Sequence, residues 1–302
     1  MYGELLRRAS VHTFHCKDLG MNWLTLLFVS AATIVIVMIA RLVHQMFLKT
    51  RLTEVLIQHD NAALGMSVAG YIFGVLLIII SVLTGPGHDD ILTDFILVTT
   101  YGISGILYMA LAGKFGLSFC LNPSVNASAQ AGNIASGITV GSGYIATGLI
   151  VSGVFSGEGE GNILASLVFL VLGQITLYGC TFLYRFLTTY DDIQEITTGN
   201  AAAALSYAGL MIAVGLIVGD ALTGEFTSYQ EGIQDFSIGV LAVLILYPIR
   251  QILVQSILLG GRISLYGGRL DEEISAQKNI AAGVIEAVTY ISAALYATHL
   301  MG

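Results

Sequence analysis

The stretches NAALGMSVA at 61–69, NIASGITVG at 133–141, NAAAALSYA at 200–208 and NIAAGVIEA at 279–287 decide the fold of this chain. Each opens a long apolar run with the pattern Asn-x-Ala-x-small-x-x-x-small, and another apolar run lies between neighbouring stretches. The chain is therefore predicted to contain four copies of a two-helix hairpin. Because each hairpin crosses an even number of times, all four copies should point the same way through a membrane.

The composition is that of a membrane protein. Hydrophobic residues make up 55% of the chain and charged residues only 11%, whereas about a quarter of a soluble domain is charged. A bilayer core requires roughly 20 apolar residues per helix. The sequence predicts an all-α, polytopic membrane protein of about eight transmembrane helices, over 22–47, 61–84, 91–112, 133–156, 162–186, 200–220, 234–259 and 279–300. The seventh of these runs is interrupted by Arg250.

The repeated pattern predicts both helix starts and helix packing. Asn61, Asn133, Asn200 and Asn279 are predicted N-caps, because an Asn side chain accepts a hydrogen bond from the backbone N–H two or three residues on. Small residues four apart lie on one helix face and let a second helix approach closely. The predicted packing positions are Gly65, Gly137, Gly141, Ala204 and Gly283. The even-numbered helices should be interior, and the odd-numbered helices should face lipid.

The two halves of the chain also match each other. DNAALGMSVAG at 60–70 resembles GNAAAALSYAG at 199–209, and NIASG at 133–137 resembles NIAAG at 279–283. The predicted organisation is an N-terminal tail over 1–21, a first four-helix membrane repeat over 22–157 and a second over 158–302. The two repeats should be parallel.

The stretch TTYDDIQEITTGNAAAALSYAG at 188–209, with the NIAxG…YI helix that begins at Asn279, resembles domain-of-unknown-function family 350, the YjfL-like bacterial inner-membrane proteins. The second half is the closer match, since the first has His59 and Asp60 before its Asn. The resemblance implies an inner-membrane protein with four helices per unit, here in tandem, and no established activity or catalytic residues. Genes of this family often lie near those of membrane-stress and polyamine-synthesis proteins, which suggests a cytoplasmic stress-response partner.

Charge indicates the orientation. None of the 12 Lys and Arg residues lies in the connections 85–94, 157–161 or 221–235, and nine lie in or next to the other connections. Those other connections should be cytoplasmic and both termini periplasmic, although Arg7, Arg8 and Lys17 in the tail favour the reverse. The opposite face is either a solvated acidic rim or a vestibule that concentrates cations. Its acidic residues are Asp89, Asp90, Asp94, Glu158, Glu160, Asp220, Glu225, Glu231 and Asp235.

Glu286 is the main candidate functional residue. It lies seven residues after Asn279, roughly 10 Å into the last helix, on the face that carries Gly283. An intramembrane carboxylate is costly to insert and is therefore a functional candidate. Its predicted partner is Arg250, next to Gln251 on the preceding helix. Three interpretations remain open: Glu286 and Arg250 form a proton or cation site, they form an ion pair that locks the last two helices, or Glu286 merely lies near the cytoplasmic interface.

Other polar residues predict smaller features. Pro248 removes a backbone donor, so a kink is expected beside Arg250. Arg41 and His44 should extend to the membrane interface, and Gln174 should hydrogen-bond a neighbouring helix. His12, His15 and Cys16 supply too few ligands for a complete metal site. No metal, cofactor or nucleic-acid partner is predicted, and the absence of a phosphate-binding loop, nucleophile elbow or zinc-protease motif argues against an enzyme.

Two functions remain open. A channel- or transporter-like protein would pass a cation along the repeat axis, with Glu286 in or beside the path. A non-transporting membrane scaffold or stress component would dock cytoplasmic partners on two loops, 188–199, which carries Asp191, Asp192 and Glu195, and 260–278. Either protein can form a homo-oligomer in the lipid bilayer, and Gly102, Gly105 and Gly173 on the outer helices are the candidate contacts.

Overall fold

The computed structural model describes residues 23–48, 51–84, 91–156, 163–224, 227–264 and 266–301. Among them are eight helices long and apolar enough to cross a membrane, and no strand. The predicted all-α, polytopic fold is confirmed. The helices are α1 (Trp23–Gln45), α2 (Ala62–Leu83), α3 (Ile91–Leu111), α4 (Ile134–Phe155), α5 (Ile163–Arg185), α6 (Ala201–Asp220), α7 (Tyr229–Ile249) and α8 (Ile280–Met301).

Several predicted features lie outside the described residues. They are the tail over 1–21 with its His12, His15 and Cys16, and most of the acidic face, namely Asp89, Asp90, Glu158, Glu160 and Glu225.

The even-numbered helices form a row through the centre of the protein. α2 contacts α4, α4 contacts α6, and α6 contacts α8. The odd-numbered helices flank this row, and their outer faces expose large apolar side chains such as Phe28 and Ile175. The expectation that all four even-numbered helices are interior applies to α4 and α6 but not fully to α8. One side of α8 is exposed because α8 ends the row, and Val288 and Leu295 lie on that side.

Close backbone contacts explain the small residues of the repeat. A β-carbon at Gly137 would collide with the backbone of Ala63, and one at Gly283 with the backbone of Ala202. These two contacts occupy the same place in the two repeats. Gly141 lies equally close to Met66. Large side chains at the glycine positions would force these helices apart.

Ala204 and Gly65 differ from the glycines that allow close backbone contacts. Ala204 is fully buried, but Gly65 is not at a close helix–helix approach. A β-carbon at Gly65 would meet only the Leu56 side chain, at an ordinary 3.7 Å.

The junction between the two repeats is also close-packed. A β-carbon at Gly153 of α4 would collide with Gly219 of α6, and one at Gly215 would collide with Ala146. α4 and α6 therefore touch backbone to backbone along their length, which leaves no room for a passage between them.

The glycines predicted to mediate homo-oligomer contacts face the interior. Gly102, Gly105 and Gly173 are buried, and their nearest neighbours are the side chains of Ile36, Ile78 and Ile150 respectively. The chain itself occupies the surface that these glycines were expected to offer to a second copy.

Four short helices lie together at one end of the bundle, and this layer is called the short-helix face. They are Leu52–Ile57, Pro123–Gln130, Asp192–Thr197 and Arg269–Ser275. Each is followed by one of the four repeated Asn residues, and the next long helix begins there. The side-chain oxygen of each Asn accepts from a first-turn N–H, for example at 2.9 Å from Leu64 to Asn61 and at 3.0 Å from Ala202 to Asn200.

The amide groups of the same Asn residues tie the short helices to one another. Asn61 donates to Gln130 O at 2.9 Å, Asn133 to Ile196 O at 3.0 Å, and Asn200 to Ile274 O at 2.8 Å. Each acceptor is a carbonyl at the end of the following short helix, where helix carbonyls lack intrahelical partners. Asn279, which precedes the last described helix, donates instead to the Glu273 carboxylate of its own short helix at 2.8 Å.

The residue before each Asn adopts a left-handed conformation. Its φ is 45° at Asp60, 99° at Gly132, 92° at Gly199 and 50° at Lys278. This conformation ends the short helix and turns the chain into the long one, in the manner of a glycine C-cap. This conformation costs a residue that has a β-carbon roughly 1–2 kcal/mol. Asp60 and Lys278 are therefore strained, whereas the other two hairpin copies have Gly at this position.

Candidate functional site

Arg250 lies in a stretch where the seventh transmembrane span changes its helical form. α7 contains Pro248, and Arg250–Leu258 continues the span as a π-helix. Because proline lacks the N–H that an α-helix requires, the α-helical pattern is interrupted at this point. π-Helical turns are frequent at functional sites. The Arg250 side chain is 1% exposed, so the interruption brings a full positive charge into the protein.

Two carboxylates share the Arg250 guanidinium. Arg250 Nε donates to Glu286 Oε1, and Arg250 Nη2 donates to Asp271 Oδ1 at 2.5 Å. The Glu286 and Asp271 side chains are at most 2% exposed. Asp271 also accepts from the Thr189 N–H at 2.8 Å and from the Thr189 hydroxyl at 3.2 Å. It therefore joins α7, the connection after α5 and the short helix Arg269–Ser275.

Glu286 and Arg250 each have one side-chain atom without a hydrogen-bond partner in the described part of the chain. Among the residues that the structure describes, Glu286 Oε2 and Arg250 Nη1 are buried and unpaired. Gln251 Oε1 is in the same position, although its amide donates to the Tyr247 hydroxyl at 2.7 Å. Buried polar atoms are normally paired, so these three atoms mark a polar site inside the protein.

A third buried carboxylate lies beside the pair. Asp192 is 4% exposed and lines a small cavity of about 20 Å³ together with Glu286, Thr188 and Tyr290. That volume is enough for about one water molecule. Burial raises the pKa of Asp192 to about 7, with Arg185 lowering it and Glu286 raising it. Burial also raises the pKa of Tyr190 well above its ordinary value, and Asp192 adds to this effect.

These four residues are called the Arg250 cluster: Arg250, Glu286, Asp271 and Asp192. Arg250 pairs with Glu286 and Asp271, and Asp192 lines the small cavity beside Glu286. Arg185, which also pairs with the exposed Asp191 at 3.1 Å, is the main charge that lowers the pKa of Asp192. Burial outweighs this effect and favours the protonated carboxyl group, so Asp192 can take up a proton near neutral pH.

Comparison with known families accounts for the whole repeat architecture. The family model described as Domain of Unknown Function (DUF350) matches residues 18–155 and again residues 160–301. The chain belongs to the DUF350 family. A relative from Aquifex aeolicus (strain VF5), a UPF0719 transmembrane protein, is 22% identical over 259 residues, which cover 85% of this chain and 92% of the relative. No solved structure matches the chain significantly.

The two DUF350 repeats differ at this site. The first repeat has Val140 where the second has Glu286, and Val125 where the second has Asp271. Both valines are buried. In place of an ion cluster the first repeat has three rings in contact. His44 and Tyr71 are tilted by 31° with centroids 4.9 Å apart, and Tyr71 and Tyr144 meet edge to face with centroids 5.2 Å apart.

His44 was expected to reach the membrane interface, and this prediction is wrong. The side chain is 6% exposed, because a short aromatic ring packs against Tyr71 instead of extending like a long charged chain. Arg41, one turn earlier, is exposed and donates to the Thr53 hydroxyl at 2.9 Å. Gln174 donates across to Thr147 of α4 at 3.4 Å.

The sequence pointed to Glu286 and Arg250 but not to the two aspartates. Asp192 was expected to be a partner-docking residue of the 188–199 loop, and its burial overturns that prediction. Asp191, its neighbour, is exposed and caps the short helix by accepting from Ile193 N–H at 2.9 Å. In sequence, Asp192 and Asp271 look like ordinary acidic residues of helix first turns. They are buried only because the short helices fold against the bundle.

Proposed function

We propose that this protein is a channel- or transporter-like membrane protein for protons or other small cations, and that it has no enzymatic activity. The supporting observation is that three buried carboxyl groups lie close to one buried guanidinium: Arg250 pairs with Glu286 and Asp271, and Asp192 lines a cavity together with Glu286. We place the protein in the bacterial inner membrane with both termini periplasmic. The short-helix face is then cytoplasmic, since the connections at that end carry most of the Lys and Arg residues.

The Arg250 cluster would be the cation-binding site of the proposed path. Its members lie at the short-helix end of α7 and α8, and a proton that enters from that end would meet Asp192 and Glu286 at the small cavity. A pKa near 7 lets a group exchange its proton at neutral pH. The proposed route follows the second repeat, because the junction of α4 and α6 is closed by backbone contacts.

Flux in proteoliposomes tests this proposal. Protons, potassium and polyamines are scanned with the wild type, with Glu286→Gln and with Glu272→Gln, an exposed acid of the same face. We expect flux of at least one ion that Glu286→Gln abolishes and Glu272→Gln leaves unchanged, with all three proteins folded. Flux that persists in Glu286→Gln would contradict a role for the cluster in conduction.

A non-transporting scaffold is the second candidate, and the Asn hydrogen bonds favour it. They tie the four short helices into one layer that can present a rigid surface to a cytoplasmic stress-response partner. Exposed residues such as Asp191 and Glu272 would make the contact, rather than the buried Asp192 and Asp271. Absence of flux for every ion, with Glu286→Gln only less thermostable, would support this function and reject the first.

A further inference from the structure

A cavity of about 190 Å³ lies in the first repeat, at the short-helix end. Its walls come from α1, α2, α4, the end of α3 and the short helix Pro123–Gln130. The second repeat has the buried Arg250 and Gln251 side chains in the corresponding π-helical stretch. The first repeat has its own π-helical stretch at Ala112–Leu117, and there the Tyr144 ring packs against Gly113.

The described walls of the cavity favour an uncharged ligand. The lining residues that the structure describes include no Asp, Glu, Lys or Arg. Apolar side chains such as Leu48, Leu64 and Ala110 supply much of the surface, and His44, Ser67 and Asn126 supply polar atoms. An ion that entered would lose its hydration without gaining a counter-charge, so the cavity suits an uncharged molecule.

The cavity volume and one unpaired polar atom, His44 Nε2, restrict which uncharged molecules fit. A cavity of about 150 Å³ is known to bind benzene, so this one accommodates a single substituted ring. His44 lines the cavity, and its buried Nε2 atom has no partner among the described residues. A neutral imidazole has one donor and one acceptor nitrogen. A hydroxyl group can both donate and accept, so it satisfies either form of the ring.

We propose that the first-repeat cavity binds a small, uncharged aromatic alcohol, with its ring among the apolar walls and its hydroxyl group on His44. This site is separate from the Arg250 cluster and does not depend on cation transport. His44→Phe keeps an aromatic ring against Tyr71 and removes the hydrogen bond. Ala110→Leu, at a residue 6% exposed, fills the cavity.

Binding of 4-fluorophenol and fluorobenzene to the full chain in lipid nanodiscs tests the proposal by fluorine NMR. Empty nanodiscs correct for partitioning into lipid. We expect saturable binding of 4-fluorophenol, about tenfold tighter than that of fluorobenzene, which is the effect of one ordinary hydrogen bond. His44→Phe should make the two probes equal, and Ala110→Leu should weaken both.

Three results would overturn the proposal. They are no saturable binding beyond that of empty nanodiscs, equal affinity of the wild type for both probes, and a difference between the probes that survives in His44→Phe. Thermal unfolding in the same nanodiscs establishes that each variant is folded. If Ala110→Leu does not fold, the comparison of two probes in the wild type and His44→Phe decides the question alone.

Discussion

Arg250 holds two carboxylates in different ways, and this difference has consequences for stability. Asp271 uses both oxygens, one for Arg250 and one for Thr189. Glu286 uses one oxygen for Arg250 and leaves the other unpaired. Removal of either carboxylate leaves Arg250 with the other one, so the cost comes mainly from the buried donors that lose their acceptor. The cost should be greater when the lost oxygen also holds a connecting segment.

Asp271→Asn should therefore destabilise the protein more than Glu286→Gln. Asn at 271 has one carbonyl oxygen and cannot accept from both Arg250 and Thr189, so we expect a loss of roughly 2–4 kcal/mol for Asp271→Asn. Gln at 286 can still accept from Arg250 Nε through its carbonyl oxygen, so we expect a loss of about 1–2 kcal/mol there. Unfolding of both variants in the same detergent measures the order. A greater loss for Glu286→Gln would contradict this account of Asp271.

Asp192 should make stability depend on pH. Its pKa of about 7 in the folded protein lies above the 3.8 of an unperturbed Asp. Between these two values the folded protein binds a proton that the unfolded chain releases, so the free energy of unfolding decreases as pH rises. Asp192→Asn should flatten this slope and raise the unfolding temperature relative to wild type above about pH 7. Glu272→Gln is the exposed control, and equal slopes in wild type and Asp192→Asn would contradict the prediction.

A left-handed residue and an Asn join each short helix to the long helix that follows it, and this pair of residues is called the hinge. One Asn caps the long helix, and in the first three copies it also holds the next short helix. Asn200 is 1% exposed and bonds Ile274 of the following short helix, whereas Asn279 bonds only Glu273 within its own unit. The two Asn residues therefore cap alike but differ in what they connect.

Asn200→Ala should cost more stability than Asn279→Ala. Loss of an N-cap costs about 1 kcal/mol in each case. Asn200→Ala also leaves a buried carbonyl without its donor, which adds about 1–3 kcal/mol. Thermal unfolding of the two variants provides the comparison. Equal losses would mean that the bonds between short helices contribute nothing beyond capping.

Substitutions at the left-handed residue of the hinge should change stability in opposite directions at Gly199 and at Lys278. Gly199→Ala should lower stability by about 1 kcal/mol, because a β-carbon is disfavoured at a φ of 92°. Lys278→Gly should raise stability by up to about 1 kcal/mol, since it relieves the strain at a φ of 50°. Unfolding temperatures measured side by side would show the two signs. A loss of stability in Lys278→Gly would indicate that its side chain has a contact worth more than the strain.

At the scale of the whole molecule, the repeat was predictable and the divergence between repeats was not. Asn residues before small-residue stripes predict the hairpins, because capping and close packing depend on local spacing. Helical spacing also predicts that Glu286 faces its neighbours. The burial of Asp192, Asp271 and His44 depends on how the connections fold against the bundle, which local patterns do not specify. The sequence therefore predicted the ion pair of Glu286 and Arg250 but not the two buried aspartates beside it.

We propose that the Arg250 cluster holds a proton near neutral pH. Infrared titration of the protonated-carboxyl band, from about pH 5 to about pH 9 on the full chain in nanodiscs, measures this directly. We predict a band that disappears with a midpoint near 7, is lost in Asp192→Asn, shifts its midpoint in Glu286→Gln and is unchanged in Glu272→Gln. A wild-type protein without a carboxyl band in this range, or a band that Asp192→Asn and Glu286→Gln leave unchanged, would contradict the account.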